Sequence, residues 1–254
     1  MKKDFHIHAK VLCGGDVDAF ISTAVEKGFE QICITDHMPL SISNAADRIP
    51  KGKVKEYCAA VREISKRYED KIDIKCGIEI DYHPSVLSEI ETVLGDGNFD
   101  YILASSHMHL FTDNFKKYTF NDFAKRALEN ALLAVNTGWF NTLAHLDMYR
   151  FPMVNPDRFP LIPDDYSPDK HMDLIKELLF KIKDKNMCVE VNPHLAKVKN
   201  NFALMYPQKE IVQLALATDV QFAYGSDAHL PHSVGDLFDE LMQDSVYGRA
   251  LANW

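Results

Sequence analysis

Seven short apolar segments, each followed by a stretch with helical period, constrain this chain more than any other feature. Strand-like runs occupy residues 4–8, 31–35, 72–79, 101–106, 142–145, 188–192 and 221–226. Between them lie segments such as "DAFISTAVEKG" at 18–28, where apolar positions recur every three or four residues and a glycine stands where a helix would end. "VKEYCAAVREISKRYED", "DFAKRALENALLAVNTG" and "DKHMDLIKELLFKIKDKN" repeat the theme. Strands that alternate with helices pair in parallel through right-handed crossovers. Seven such units predict an α/β fold, a distorted seven-unit (β/α) barrel of the TIM type, in preference to an open sheet. No low-complexity tract or linker composition interrupts the 254 residues, so residues 1–254 are expected to form one domain.

Composition narrows the function classes. A formal charge of −9 disfavours a nonspecific grip on nucleic acid. The two N-terminal lysines precede no apolar signal region and no apolar run reaches the length of a membrane span, so a cytoplasmic protein without a membrane partner is expected. Cys13, Cys33, Cys58, Cys76 and Cys188 are scattered, odd in number and without a C-x-x-C pair. That usage fits reduced thiols, not a disulfide framework or a thiolate zinc site. The sequence carries no signature of oligomeric state.

Chemistry concentrates at the strand ends. In "DFHIHAK", strict strand alternation puts His6 and His8 on one face and Phe5 and Ile7 on the other. Asp36 and His37 close the second strand and Glu79 the third. His107 and His109 close the fourth, His145 and Asp147 the fifth, and Asp227 and His229 the seventh. In barrel enzymes these C-terminal strand ends converge on one face. Imidazole nitrogens and carboxylate oxygens without thiolates suit zinc, iron or manganese. Each pair alone reads more readily as a helix cap or a hydrogen-bonded pair at a barrel mouth than as a metal site. Six such ends together predict a polynuclear metal site, because that many ionisable groups in one place would otherwise leave costly buried charge.

The motifs "DFHIH", "TDH", "GIEIDYHP", "SSH", "AHLD", "EVNP" and "GSDAH", in this order across nearly the whole chain, resemble those of the polymerase and histidinol phosphatase (PHP) superfamily of metal-dependent phosphoesterases. "IEIDYHP", and "EVNPHLAK" with a later "YP", are most similar to the histidinol-phosphate phosphatase branch. The resemblance implies a distorted barrel of seven β/α units holding two or three divalent ions (Zn, Mn or Fe). It implies that His6, His8, Glu79 and Asp227 hold one ion, that Glu79 bridges to a second held by His107 and His145, and that His37 and His229 serve a third. The chain departs from the pattern after H-x-H: Cys13, Gly14 and Gly15 stand where close relatives have Cys-Gly-His, so a third-site ligand is missing, with Asp16 as the nearest substitute. The implied reaction is hydrolysis of a small phosphomonoester, foremost histidinol phosphate in histidine biosynthesis, by a hydroxide bridging two metals. His37, Asp227 and His229 would be the catalytic residues.

Cations for the outer phosphate oxygens are sought in Arg48, Arg150 and Lys197, and a pocket role in His83; surface charge and helix capping are the plain alternatives. The proline- and aromatic-rich stretch 147–168 reads as a long loop whose Tyr149, Phe151, Phe159 and Tyr166 either wall a pocket or pack the loop down. His109 and His194 fall outside the ligand pattern. Two competing functions stay open: a phosphodiesterase acting on nucleotides or nucleic acid, which the acidic balance disfavours, and a noncatalytic metal-binding module, which the Gly15 departure allows.

Overall fold

The computed structural model describes residues 1–43, 45–107, 110–111, 119–150, 168–252 and 254. Seven parallel strands run β1 (Lys3–Ile7), β2 (Gln31–Ile34), β3 (Asp73–Asp81), β4 (Tyr101–Ser105), β5 (Thr142–Leu143), β6 (Cys188–Val191) and β7 (Gln221–Tyr224), in sheet order β1 to β7. Their order in space follows their order in sequence, as in a barrel where each β/α unit adds beside the one before it. β1 meets the end of β7 through a parallel bridge between Ile7 and Ala228, with His8 N donating to Ala228 O at 2.9 Å. The result is a nearly closed α/β barrel.

The long β3 makes the distortion. Its first half, Asp73 to Cys76, pairs with β2, and its second half, Gly77 to Asp81, pairs with β4. Gly77 sits at the changeover, where a Cβ would lie 2.5 Å from Cys33 Sγ and 2.9 Å from Tyr101 O. The Tyr57 hydroxyl donates to Gly77 O at 2.9 Å and accepts from Asp36 N at 3.3 Å, tying the end of β2 to β3.

The expected helices form as α1 (Val17–Glu26), α2 (Val54–Arg67), α3 (Leu87–Asp96), α4 (Phe120–Thr137) and α5 (Met172–Asp184), followed by α6 (His194–Lys199), α7 (Lys209–Ala217), α8 (Phe238–Gln243) and α9 (Tyr247–Leu251). Their buried stripes follow the helical period: Val54, Tyr57, Cys58, Val61 and Ile64 on α2, and Ile175, Leu178, Leu179 and Ile182 on α5. Gly138 caps α4 in the left-handed conformation at φ 71°. No helix among the described residues is long and apolar enough to cross a membrane.

Strict alternation fails in β1. Phe5 packs edge-to-face on Tyr101 and Trp254, with centroids 4.7 and 5.0 Å away. The register of β1 on β2 shifts between Asp4 and Ile7, and an irregularity of this kind breaks the two-residue period on which the facing of Phe5 was predicted.

Candidate metal centre

The strand ends meet at a cavity of about 290 Å³ lined by His37, Arg48, Glu79, His107, His145, Asp227 and His229, with Leu110, Met148 and Tyr206 on its walls. His6 and His8 lie beneath, wholly buried. His6 Nε2, His8 Nε2, Glu79 Oε2 and Asp227 Oδ1 converge: the two imidazole nitrogens are 3.0 Å apart, and each lies 3.2–3.6 Å from the two carboxylate oxygens. A tetrahedron of nitrogen and oxygen ligands about 2.0–2.2 Å from a zinc-like cation has edges of about 3.3–3.6 Å. Glu79 faces further nitrogens, with His145 Nε2 at 3.0 Å and His107 Nε2 at 3.7 Å from Oε1, and His37 Nδ1 at 2.7 Å from Oε2. Yet His37 Nδ1 and Glu79 Oε2, buried and this close, lack hydrogen-bond geometry, and His8 Nδ1 and His145 Nδ1 are likewise unbonded. Buried polar atoms are normally paired. Donors crowded at ligand spacing with unmet bonding capacity fit divalent cations, and five overlapping donor triads among the described residues have that spacing: His6/His8/Glu79, His37/Glu79/His107, His8/His37/His229, His6/His145/Glu190 and His194/Asp227/His229.

Electrostatics follow from this crowding. Burial opposes a charge on Glu79, but His37, His107 and His6 hold its carboxyl well below the usual range. Burial likewise opposes charge on Asp227, and His6 and His8 hold that carboxyl low. Against burial, Glu190, Asp227 and Glu79 raise His6 well above its ordinary value, and Glu79 raises His37 to about 9. Burial, with His37 and His229 alongside, pushes His8 well down.

Backbone features aim these groups. His145 and Asp227 occupy the left-handed region at φ 64° and 55°, an uncommon conformation for residues other than glycine. Gly225 leaves room for Glu190 to reach His6: a Cβ there would lie 2.1 Å from Glu190 Oε1 and 2.5 Å from His6 Cβ.

Residues 4–194 match the PHP domain family. The chain belongs to that family. A "Probable histidinol-phosphatase" of Deinococcus radiodurans is 28% identical over 264 residues, covering 98% of this chain and 95% of its own. The "Histidinol-phosphatase" of Bacillus subtilis is 23% identical over 271 residues, covering 95% of this chain and 98% of its own. Among solved structures, the histidinol phosphate phosphatase of Lactococcus lactis, crystallised with zinc, L-histidinol and phosphate, superposes with a TM-score of 0.73 at 20% identity, covering 94% of this chain and 93% of that one. Likeness at that identity establishes the shared fold.

Several predicted site residues of this PHP chain stand elsewhere. Arg150 does not line the cavity; it donates to Asp147 Oδ2 at 2.7 Å, to Ala203 O at 3.3 Å and to Met205 O. Lys197 is half-exposed, 4.0 Å from Asp236 Oδ1. His83 caps the turn after β3, accepting from Ser85 N at 3.2 Å, with its ring stacked on Phe111. Asp36 turns away from the cluster to accept from Lys10 N and Val11 N, both at 2.8 Å, fixing the loop that follows His8. Burial raises its pKa to about 6. Gly15 cannot carry a ligand in this loop, because a Cβ there would lie 2.0 Å from Ala9 O. Asp16 does not substitute for the missing histidine; it caps α1 at Ala19 N, 3.2 Å away, on the surface. His109, Phe151, Phe159 and Tyr166 lie outside the described residues.

Three residues of the site escaped the motif reading. Glu190 is 2.6 Å from His6 Nδ1, and Asp81 is bound to both His107 and Arg48. His194 groups at ligand spacing with Asp227 and His229. The signal was present: Asp81 follows Glu79 by two residues on one strand face, and Glu190 and His194 flank "VNP" at the end of β6. Burial draws Asp81 upward, but the bond from His107 and the Arg48 charge hold it ionised well below the usual range.

Proposed function

We propose that this chain is a metal-dependent phosphatase that hydrolyses histidinol phosphate to histidinol and phosphate in the cytoplasm. The convergence of His6, His8, Glu79 and Asp227 at ligand spacing beneath a cavity lined by Arg48 carries this reading. The names of the relatives point to the same phosphomonoester. The five free cysteines fit a reducing compartment.

In this reading His6, His8, Glu79 and Asp227 would hold one divalent ion, Glu79 with His107 and His145 a second, and His37 and His229 would serve a third. Such ions supply Lewis-acid polarisation of the phosphoryl group and activation of water. The protein's part is orientation. Glu190 and Asp81 fix the rings of His6 and His107 through Nδ1, so that each Nε2 faces Glu79. His229 Nδ1 donates to Asp227 O at 3.0 Å, which leaves Nε2 a lone pair and suits it to act as a ligand or proton acceptor. Arg48 offers a guanidinium edge to the outer phosphate oxygens.

Phosphate release from histidinol phosphate, measured beside sugar phosphates, nucleotides and a diester with metal content on the same preparation, tests this. Selective turnover of histidinol phosphate is expected. Preferential cleavage of the diester, or no turnover by metal-loaded protein, would overturn the reading.

A further inference from the structure

Asp81, at the C-terminal end of β3, is wholly buried, and its two oxygens serve two different parts of the site. Oδ1 accepts from His107 Nδ1 at 2.5 Å, and Oδ2 accepts from Arg48 Nη1 at 2.5 Å. His107 thereby carries its proton on Nδ1 and turns Nε2 toward Glu79. Arg48 is held at three further points of contact by the same logic: Nη1 also donates to Met38 O at 3.0 Å, Nε donates to Ser43 Oγ at 3.2 Å, and its backbone N–H faces Ala45 O at 3.4 Å. Nη2 has no hydrogen-bond partner among the described residues, although Arg48 lines the cavity.

We propose that Asp81 is a positioning residue that couples the two halves of the site, holding His107 toward the metal cluster and the free edge of Arg48 toward the phosphoryl group. This rests on the phosphatase reading above. One carboxylate is the simplest group that can do both, because it accepts on both oxygens, whereas an amide accepts on one and donates from the other. In Asp81→Asn either His107 or Arg48 must face a donor. A ring with the wrong tautomer weakens its metal, and a guanidinium released from its anchor loses its alignment on phosphate.

The test reads binding, not turnover. Zinc affinity is measured by chelator competition on wild type and Asp81→Asn, and inorganic phosphate binding by calorimetry on the zinc-loaded forms. We expect both affinities to fall, zinc by about 10-fold to 100-fold, with the circular dichroism spectrum unchanged. Folded Asp81→Asn with either affinity as in wild type would overturn the coupling. Should Asp81→Asn not fold, Arg48→Met decides: phosphate affinity should fall while zinc affinity holds, and unchanged phosphate affinity would remove Arg48, and with it the coupling. Wild type that binds no zinc would instead sink the phosphatase reading itself.

Discussion

Two buried arginine–aspartate pairs flank the strand ends, and they differ in what they leave open. Arg48 with Asp81 and Arg150 with Asp147 are comparably buried, with both aspartates fully enclosed. Arg150 gives its donors to Asp147 and to the carbonyls of Ala203 and Met205, while Asp147 also accepts from Gln208 N at 3.0 Å. That pair clamps the chain around Pro207 onto the end of β5. Arg48 leaves Nη2 without a partner among the described residues, beside the cavity, and its aspartate reaches on to His107. The residue types are the same, so the use of each pair is decided by which acceptors the tertiary fold brings to the guanidinium.

The difference can be broken from either side. On the cavity side the largest effect belongs to Glu79→Gln, which removes the carboxylate that His6, His8, His37, His107 and His145 face. Phosphate release should fall more than about 100-fold, with bound metal reduced in elemental analysis of the same sample. On the clamp side, Arg150→Met leaves Asp147 buried without its cation, and urea unfolding should register a loss of about 3–5 kcal/mol, while KM of the folded enzyme stays at the wild-type value. Arg48→Lys should do the reverse, because a lysine keeps the charge and loses the planar fork: KM should rise by about 10-fold with the unfolding midpoint nearly unmoved. A KM effect at Arg150 or a purely thermal effect at Arg48 would erase the contrast.

The smallest effect is a matter of protons. In the metal-free protein Glu79 raises His37 to about 9 against the opposing effect of burial. A histidine raised in the folded state contributes stability that is complete below its unfolded value of about 6.5 and is lost as pH climbs through 9. Metal must displace that proton, so zinc affinity should weaken as pH is lowered from 9. Calorimetry of zinc binding at pH 7.5 in buffers of different ionisation enthalpy should detect net proton release, and a heat independent of buffer would contradict it.

The seven β/α units were legible because each buries an apolar run with a clear period, and the sheet keeps sequence order. The facing of Phe5 was not, since a register shift in β1 leaves no mark on composition. At the site, His6, His8, Glu79 and Asp227 announced themselves as ligand-type side chains at strand ends. Arg150 misled because its partners Ala203 and Met205 are carbonyls more than fifty residues away, and any side chain would have supplied them. Asp81 and Glu190 act through the histidines they hold, so only the folded geometry separates them from ordinary buried carboxylates.

The measurement that bears most directly on the account is a titration of metal-free protein with zinc or manganese, following phosphate release from histidinol phosphate against bound ions. Activity absent at the start and rising with metal occupancy is the predicted result. Full activity in protein stripped of metal, or complete loading without phosphate release, would contradict it.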